Sequence, residues 1–79
     1  MALSKKARLS KLRKLAEIEG YPNIEALLEA SVADAVSPAI CTRKGCDYTV
    51  EMEPDQDEGW CEACHSNSVA SALVLAGII

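Results

Sequence analysis

The four cysteines of the sequence form two close pairs, and these pairs constrain the fold more than any other feature. Four residues separate Cys41 from Cys46, two separate Cys61 from Cys64, and fourteen lie between the pairs. Four thiolates that converge on one point form a tetrahedral site for zinc, and each short turn can present two of them. The cysteines are therefore predicted to bind one Zn²⁺ ion. Gly45 gives the first turn a permissive backbone.

A site made of four thiolates is coordinatively closed, so the predicted metal is structural. The chain has 79 residues, no Phe and 4% aromatic residues, so that its core must be built from Leu, Ile, Val and Ala. Such a small core usually needs a further source of stability. Structural zinc contributes roughly 10 to 16 kcal/mol in zinc-finger peptides, and the C-terminal half is expected to unfold without it.

The distribution of charged and apolar residues predicts a cytoplasmic protein. Basic residues occupy positions 5–14, where the apolar region of a signal peptide would lie. Cysteines in a reducing compartment bind metals more often than they form structural disulfides. The longest apolar run, residues 69–79, is interrupted by Ser71 and Gly77 and is shorter than the roughly 20 residues that span a bilayer. No membrane association is expected.

The N-terminal part of the chain has the pattern of a helical hairpin. Apolar residues recur at spacings of three and four, which is the helical period. A first helix is predicted to begin after Ser4 as its N-cap and to end at Gly20. A second is predicted to begin after Asn23 and to end at about residues 35–36. Residues 4–36 thus form two helices whose apolar faces need a further partner.

The C-terminal part is predicted to contain a β-hairpin and a helix. Apolar and polar residues alternate over 48–53, as in a half-buried strand. The polar stretch 54–59 is typical of a turn, and Trp60 would begin the returning strand. Residues 66–68 are good helix caps, and the apolar segment 69–76 is predicted to form a short helix that is buried on most sides, with a strand as the alternative.

The predicted architecture is a single α+β domain over residues 1–79, in which the helical hairpin packs on a small four-cysteine zinc finger. The paired-cysteine turn, the hairpin and Trp60-Cys61-Glu-Ala-Cys64 before a predicted helix resemble a treble-clef or related zinc-ribbon finger. This resemblance covers residues 40–79. It implies a zinc-stabilised scaffold, of a kind used for nucleic-acid binding and for protein docking, rather than an activity.

Other chemistries can use the same residues. Iron bound by the four thiolates is one alternative to zinc. Cys61, Cys64 and His65 also match the attachment motif of c-type haem, for which Met52 could be an axial ligand. Trp60 before Cys61-x-x-Cys64 is also found in thioredoxin-type redox pairs, although the chain is too short for their fold. We expect instead an exposed His65 and a Trp60 that packs over the metal turn as part of the core.

The charges of the sequence are divided between its two ends. The net charge is −4, yet six of the eight basic residues fall within positions 5–14 and six of the twelve acidic residues within 51–62. The candidate phosphate contacts are Lys5, Lys6, Arg8, Lys11, Arg13 and Lys14 in the first helix, with Arg43 and Lys44 in the first cysteine turn. A nucleic-acid-binding regulator is therefore the second hypothesis. The acidic pI of about 4.8 and an acidic second helix argue against it.

The first hypothesis is a protein-interaction module. The sequence has one histidine, no nucleophile with a base beside it and no open metal position, so neither enzymatic activity nor a small-molecule substrate is expected. Another protein, or a second copy of the chain, is the expected partner. The apolar C-terminal helix is the candidate docking surface.

Overall fold

The computed structural model describes residues 3–78, which form three helices and a curled four-stranded antiparallel sheet. The helices are α1 (Lys5–Glu19), α2 (Ile24–Ala33) and α3 (Ala72–Leu75). The strands are β1 (Ser37–Cys41), β2 (Thr49–Met52), β3 (Gly59–Cys61) and β4 (Ser66–Ser71). These elements confirm the predicted α+β class.

The helical hairpin has the caps that were predicted from the sequence. The Ser4 side chain accepts a hydrogen bond from the backbone N–H of the residue three positions later at 3.1 Å, and the Asn23 side chain does the same at 2.8 Å. Gly20 has a φ of 84°, the left-handed conformation in which glycine ends a helix without a steric penalty. Local capping chemistry therefore sets three of the four ends of α1 and α2.

The end of α2 and the strand that follows differ from the prediction. α2 ends at Ala33 rather than at residues 35–36, because the backbone is already extended at Asp34. β1 was not predicted from the sequence, and it contains Pro38, a residue that is rare inside strands. Pro38 lies outside the part of β1 that pairs with β4, so its missing N–H does not interrupt that ladder.

The strands pair in the order β2-β1-β4-β3, which corrects the predicted hairpin. The sequence pattern indicated that β2 would pair with β3. In the structure β2 pairs with β1 and β3 pairs with β4, so the fold contains two hairpins joined through β1 and β4. The omission of β1 from the sequence-based prediction caused this error, since β1 provides the neighbour that β2 was assumed to find in β3.

The segment predicted to form the C-terminal helix, residues 69–76, is divided between a strand and a short helix. Residues 66–71 form β4, and only Ala72–Leu75 are helical, with Ser71 as the N-cap. β4 lies between β1 and β3 and pairs with both of them. Hydrogen bonding on both edges outweighs the local capping signals of residues 66–68, because strand formation depends on tertiary neighbours more than on intrinsic preference.

The central strands β1 and β4 separate two buried clusters. On one face, Ile40 and its cross-strand neighbour Ala70 contact the helices. The helical core, as we call this cluster, consists of Leu12, Leu15, Ala16, Leu27, Ile40, Ala70, Ala72 and Leu75. The cysteine core on the other face consists of Ala39, Cys41, Cys61 and Val69. Alternate residues of the same two strands thus serve both clusters.

The two edge strands approach each other within the curled sheet. Met52 of β2 packs against Gly59 of β3, although these strands are not paired. A Cβ at position 59 would lie 2.5 Å from the Met52 Cε atom and 3.2 Å from the Val69 Cβ atom. Glycine at this position therefore allows Met52 to cover the cysteine core.

Most of the short helix α3 is buried by the protein itself. Ala72, Leu73 and Leu75 are all buried, and α3 packs against α1, α2 and β1. This confirms the predicted burial, but these three side chains leave little surface with which a partner could dock. Within residues 3–78, no helix has both the length and the apolar character needed to cross a bilayer.

Candidate metal centre

The first cysteine pair lies at the end of β1 and in the loop that follows it. Cys41 is the last residue of β1, and Cys46 lies in the first cysteine loop, residues 42–48. The Cys46 N–H donates a hydrogen bond to the Arg43 carbonyl at 3.1 Å. Gly45 has a φ of 81°, a conformation that most residues adopt only with strain. The glycine identified in the sequence thus lets the chain turn between the two sulfurs.

The second pair has a tighter turn. Cys61 ends β3, and Cys64 lies in the second cysteine loop, residues 62–65. The Cys64 N–H donates to the Cys61 Sγ atom at 3.3 Å, and the His65 N–H donates to the Cys61 carbonyl at 2.8 Å. His65 has a φ of 55° and is the one residue other than glycine with positive φ within residues 3–78.

The two loops bring all four sulfurs together. The four Sγ atoms lie within 4.8 Å of one another. The Cys41 and Cys64 sulfurs are 3.9 Å apart, and those of Cys46 and Cys61 are 3.7 Å apart. A tetrahedral site with metal–sulfur bonds of about 2.3 Å has sulfurs about 3.8 Å apart, and a disulfide requires a much shorter distance. The cluster can therefore hold one metal ion.

A serine that was not among the predicted site residues contacts the cluster. The Ser68 hydroxyl lies 3.1 Å from the Cys41 Sγ atom and 2.9 Å from the Ser66 hydroxyl. Both serines were predicted to be helix caps. They lie instead in β4, next to the end of β1. Because the contact between Ser68 and Cys41 depends on strand pairing, nothing in the local sequence indicates it.

The surroundings of the sulfurs change their pKa values in opposite directions. Burial raises the pKa of the Cys41 thiol, but hydrogen bonds from Ser68 and from the Arg43 backbone outweigh burial and lower it to about 7. Hydrogen bonding to Cys46, together with burial, raises the pKa of Cys64 to about 12. Burial also raises the pKa of Cys61. Four thiolates at these distances repel one another, so they are not all ionised together without a counter-charge. A divalent cation at their centre would stabilise all four thiolates.

A lysine of α1 connects the helical hairpin to the first cysteine loop. The Lys11 Nζ atom donates hydrogen bonds to the Arg43 carbonyl at 2.8 Å and to the Cys46 carbonyl at 2.5 Å. The ammonium group thus binds the backbone on either side of Gly45. Lys11 was considered as a phosphate contact, and the sequence contains no signal for this positioning role because its partners are more than 30 residues away.

His65 and Trp60 lie outside the cluster. His65 is exposed, as expected, and is not among the four clustered residues. The prediction that Trp60 belongs to the core is wrong, because its side chain is 51% exposed on the edge strand β3. Its ring contacts the His65 ring edge-to-face, with 6.3 Å between the centroids. The neighbouring residues Gly59 and Cys61 are buried instead.

The basic residues considered for nucleic-acid binding do not share one surface. A first groove, which we call the basic groove, lies between α1 and the first cysteine loop. Its basic residues are Lys6, Lys11, Arg13, Lys14 and Lys44. Lys5 and Arg8 line a second groove, the helical groove, between α1, α2 and α3. Arg43 is exposed and lines neither groove.

No protein-family model, no curated protein and no solved structure matches this chain. The clustered cysteines agree with the metal site implied by the resemblance to zinc fingers. Cys64 is followed by the strand β4, and the helix that this resemblance implied is limited to Ala72–Leu75.

Proposed function

We propose that this protein is a small zinc-binding protein in which a structural four-cysteine site stabilises a protein-interaction module. One observation carries the proposal: four sulfurs from two separate loops lie within 4.8 Å of one another. Four thiolates fill a tetrahedral shell and leave no position for water or substrate. We therefore assign the metal a structural role, and we propose neither catalysis nor a small-molecule substrate.

Zinc is the metal that fits this arrangement best. Each hairpin contributes one cysteine pair, and this arrangement is more similar to a zinc ribbon than to a treble clef. Zinc has no redox chemistry and suits a permanent structural role in a reducing cytoplasm. Iron is the alternative ion for four thiolates. Attachment of haem to Cys61 and Cys64 is less favoured, since both sulfurs are already next to Cys41 and Cys46, and Met52 packs on Gly59.

The metal assignment is tested on protein purified without added metal. We expect about one zinc ion per chain by elemental analysis, and a cobalt-substituted form with the charge-transfer absorption of four thiolates. Cys64→Ser should reduce metal binding, whereas Ala63→Ser, in the same loop, should not. Iron found in place of zinc would show that the site is an iron site, and a Soret band would establish haem. Protein that contains no zinc, iron or haem would contradict the proposal.

The helical groove is the surface that we propose for a protein partner. It has a volume of about 490 Å³. Leu9, Ile24 and Leu28 contribute apolar side chains, while Lys5 and Arg8 supply positive charge. An apolar groove with basic residues beside it fits an acidic amphipathic segment of another protein. The partner would thus contact the helices rather than the metal loops.

The proposed docking site is tested with Leu28→Glu, which places a negative charge in the helical groove. Val32→Glu is the matched control, since Val32 is on the same helix, is 64% exposed and lies outside the groove. We expect the native protein and Val32→Glu to retain the same protein from a lysate of the native organism, and Leu28→Glu to lose it. Equal retention by both variants would contradict this site, and concentration-dependent sedimentation that Leu28→Glu abolishes would assign the groove to a second copy of the chain.

A further inference from the structure

The basic groove is a second concave surface, lined by a different set of α1 residues from the helical groove. It has a volume of about 780 Å³, and one of its walls is the first cysteine loop. Five cationic side chains line it, together with the two carboxylates of Glu17 and Asp47. Lys44 comes from the loop and the other four cations from α1. The fold therefore assembles a cationic surface from two segments that are about 30 positions apart in the sequence.

The groove is positive although the protein as a whole is negative. The net charge of the chain is −4, and all twelve acidic residues lie within the described residues 3–78. Only Glu17 and Asp47 are among the residues that line the groove. Asp47 is 3.9 Å from Lys14, so this carboxylate offsets one of the cations. The acidic overall composition therefore does not describe the charge that a ligand would meet at this surface.

The walls of the groove are held in place by contacts that a ligand does not have to create. Lys11 hydrogen-bonds two carbonyls of the first cysteine loop and so joins the loop to α1. Cys41 comes directly before this loop, Cys46 lies within it, and both belong to the proposed metal site. Binding to a preorganised groove avoids the entropic cost of ordering it. The shape of the basic groove therefore depends on the proposed zinc site.

The residues of the groove match phosphate groups better than they match a protein. The ammonium groups of Lys6 and Lys44, the Arg13 guanidinium and the hydroxyl of Ser10 are donors for phosphate oxygens. Among the described lining residues Leu3 is the one large apolar side chain and none is aromatic, whereas protein interfaces usually depend on several aromatic or large apolar anchors. We infer that the basic groove binds the sugar-phosphate backbone of a nucleic acid without sequence preference.

The inference is tested with a double variant that changes both walls of the groove. Lys6→Gln with Lys44→Gln removes two cations that line it. Lys5→Gln with Arg43→Gln is the matched control, because it removes the same charge from the same two segments outside the groove. Binding of fluorescent single-stranded and duplex oligonucleotides is measured by anisotropy between low and moderate salt. Metal content is measured on each protein, so that a failure of the zinc site is distinguished from a failure of the groove.

We expect the native protein to bind at least one of the two oligonucleotides, with an affinity that falls as salt rises. The groove variant should weaken binding about tenfold and reduce the slope of log K against log salt by about 1.4 for a single strand, or about 1.8 for a duplex. The control should change the affinity less than about threefold, since screened charges outside the groove contribute little. Equal losses in both variants, or no binding at low salt by metal-loaded protein, would overturn the inference. So would a polyglutamate peptide that competes as well as an oligonucleotide of equal charge, because the groove would then accept an acidic protein.

Discussion

The two faces of the central strands are stabilised by different physical means. The helical core has eight buried residues, all of them Leu, Ile or Ala, and they come from five different elements. The cysteine core has four buried residues, and two of them are proposed metal ligands. The helical face can rely on burial of apolar surface, whereas the cysteine face has too little apolar surface to do so. We call the helical core with its helices the helical half, and the cysteine core with its loops the cysteine half. Because β1 and β4 contribute to both, neither half is expected to be stable alone.

Removal of the metal should have the largest effect and should reach both halves. In zinc-finger peptides structural zinc contributes roughly 10 to 16 kcal/mol, which is comparable to or above the entire stability of a typical domain, about 5 to 15 kcal/mol. Loss of the metal should also destabilise the helical core, because Ile40 and Ala70 belong to that core and lie on the same two strands as the cysteine core. We expect a strong chelator to abolish the thermal transition and most of the helical circular dichroism. Unchanged amide NMR shifts in α1 and α2 after chelation would show that the halves are independent.

A cavity in the helical core should lower stability without changing the metal site. Leu15 is fully buried, and Leu15→Ala should cost about 2 to 5 kcal/mol in the free energy of unfolding. The control is Ile18→Ala, on the same helix but 43% exposed, with an expected cost of about 0.5 kcal/mol. Urea denaturation measures both. The cobalt spectrum of folded Leu15→Ala should equal that of the native protein, and an altered spectrum would contradict the separation between the two faces.

Loss of the lysine that joins the halves should have an intermediate effect. Lys11→Met keeps the length of the side chain but removes the hydrogen bonds to the Arg43 and Cys46 carbonyls. Hydrogen bonds to a charged group are worth about 1.5 to 3 kcal/mol, so a cost in this range is expected. Lys14→Met is the control, since its ion pair with Asp47 is long and exposed and is worth at most about 1 kcal/mol.

A larger cost for Lys14→Met than for Lys11→Met would contradict the joining role of Lys11. The two variants change the net charge equally, so a general effect of charge on stability would act on both. Denaturation of the metal-loaded proteins at the same salt concentration makes the comparison direct.

The smallest effect concerns one left-handed position in each half of the protein. The helical half uses Gly20 at this position, while the second cysteine loop uses His65 at a φ of 55°. Gly20→Ala should cost about 1 kcal/mol, and His65→Gly should raise stability by about 0.5 kcal/mol because strain is relieved. His65→Ala removes the contact with Trp60 but keeps the strained backbone. Thermal denaturation of the metal-loaded proteins should rank His65→Gly above His65→Ala, and the reverse order would contradict this explanation.

The features that were predicted correctly depend on neighbours in the sequence. The apolar period of α1, the cap at Asn23 and the strand signal of β2 each lie within a few residues, where sterics and capping act. The features that were missed depend on distant contacts. β1 is short and contains Pro38, and β4 begins with residues that resemble helix caps. Their strand conformation follows from pairing with each other, which no local pattern encodes.

The spacing of the cysteines was sufficient to predict which side chains would cluster, because two short turns and four soft donors have few other uses in a chain of this size. The local pattern of the chain was also sufficient for both N-terminal helices. Only the tertiary structure decided the strand order, the contact of Ser68 with Cys41 and the contact of Lys11 with the first cysteine loop. Those contacts join residues more than 25 positions apart, and they form only when the curled sheet brings the two hairpins together.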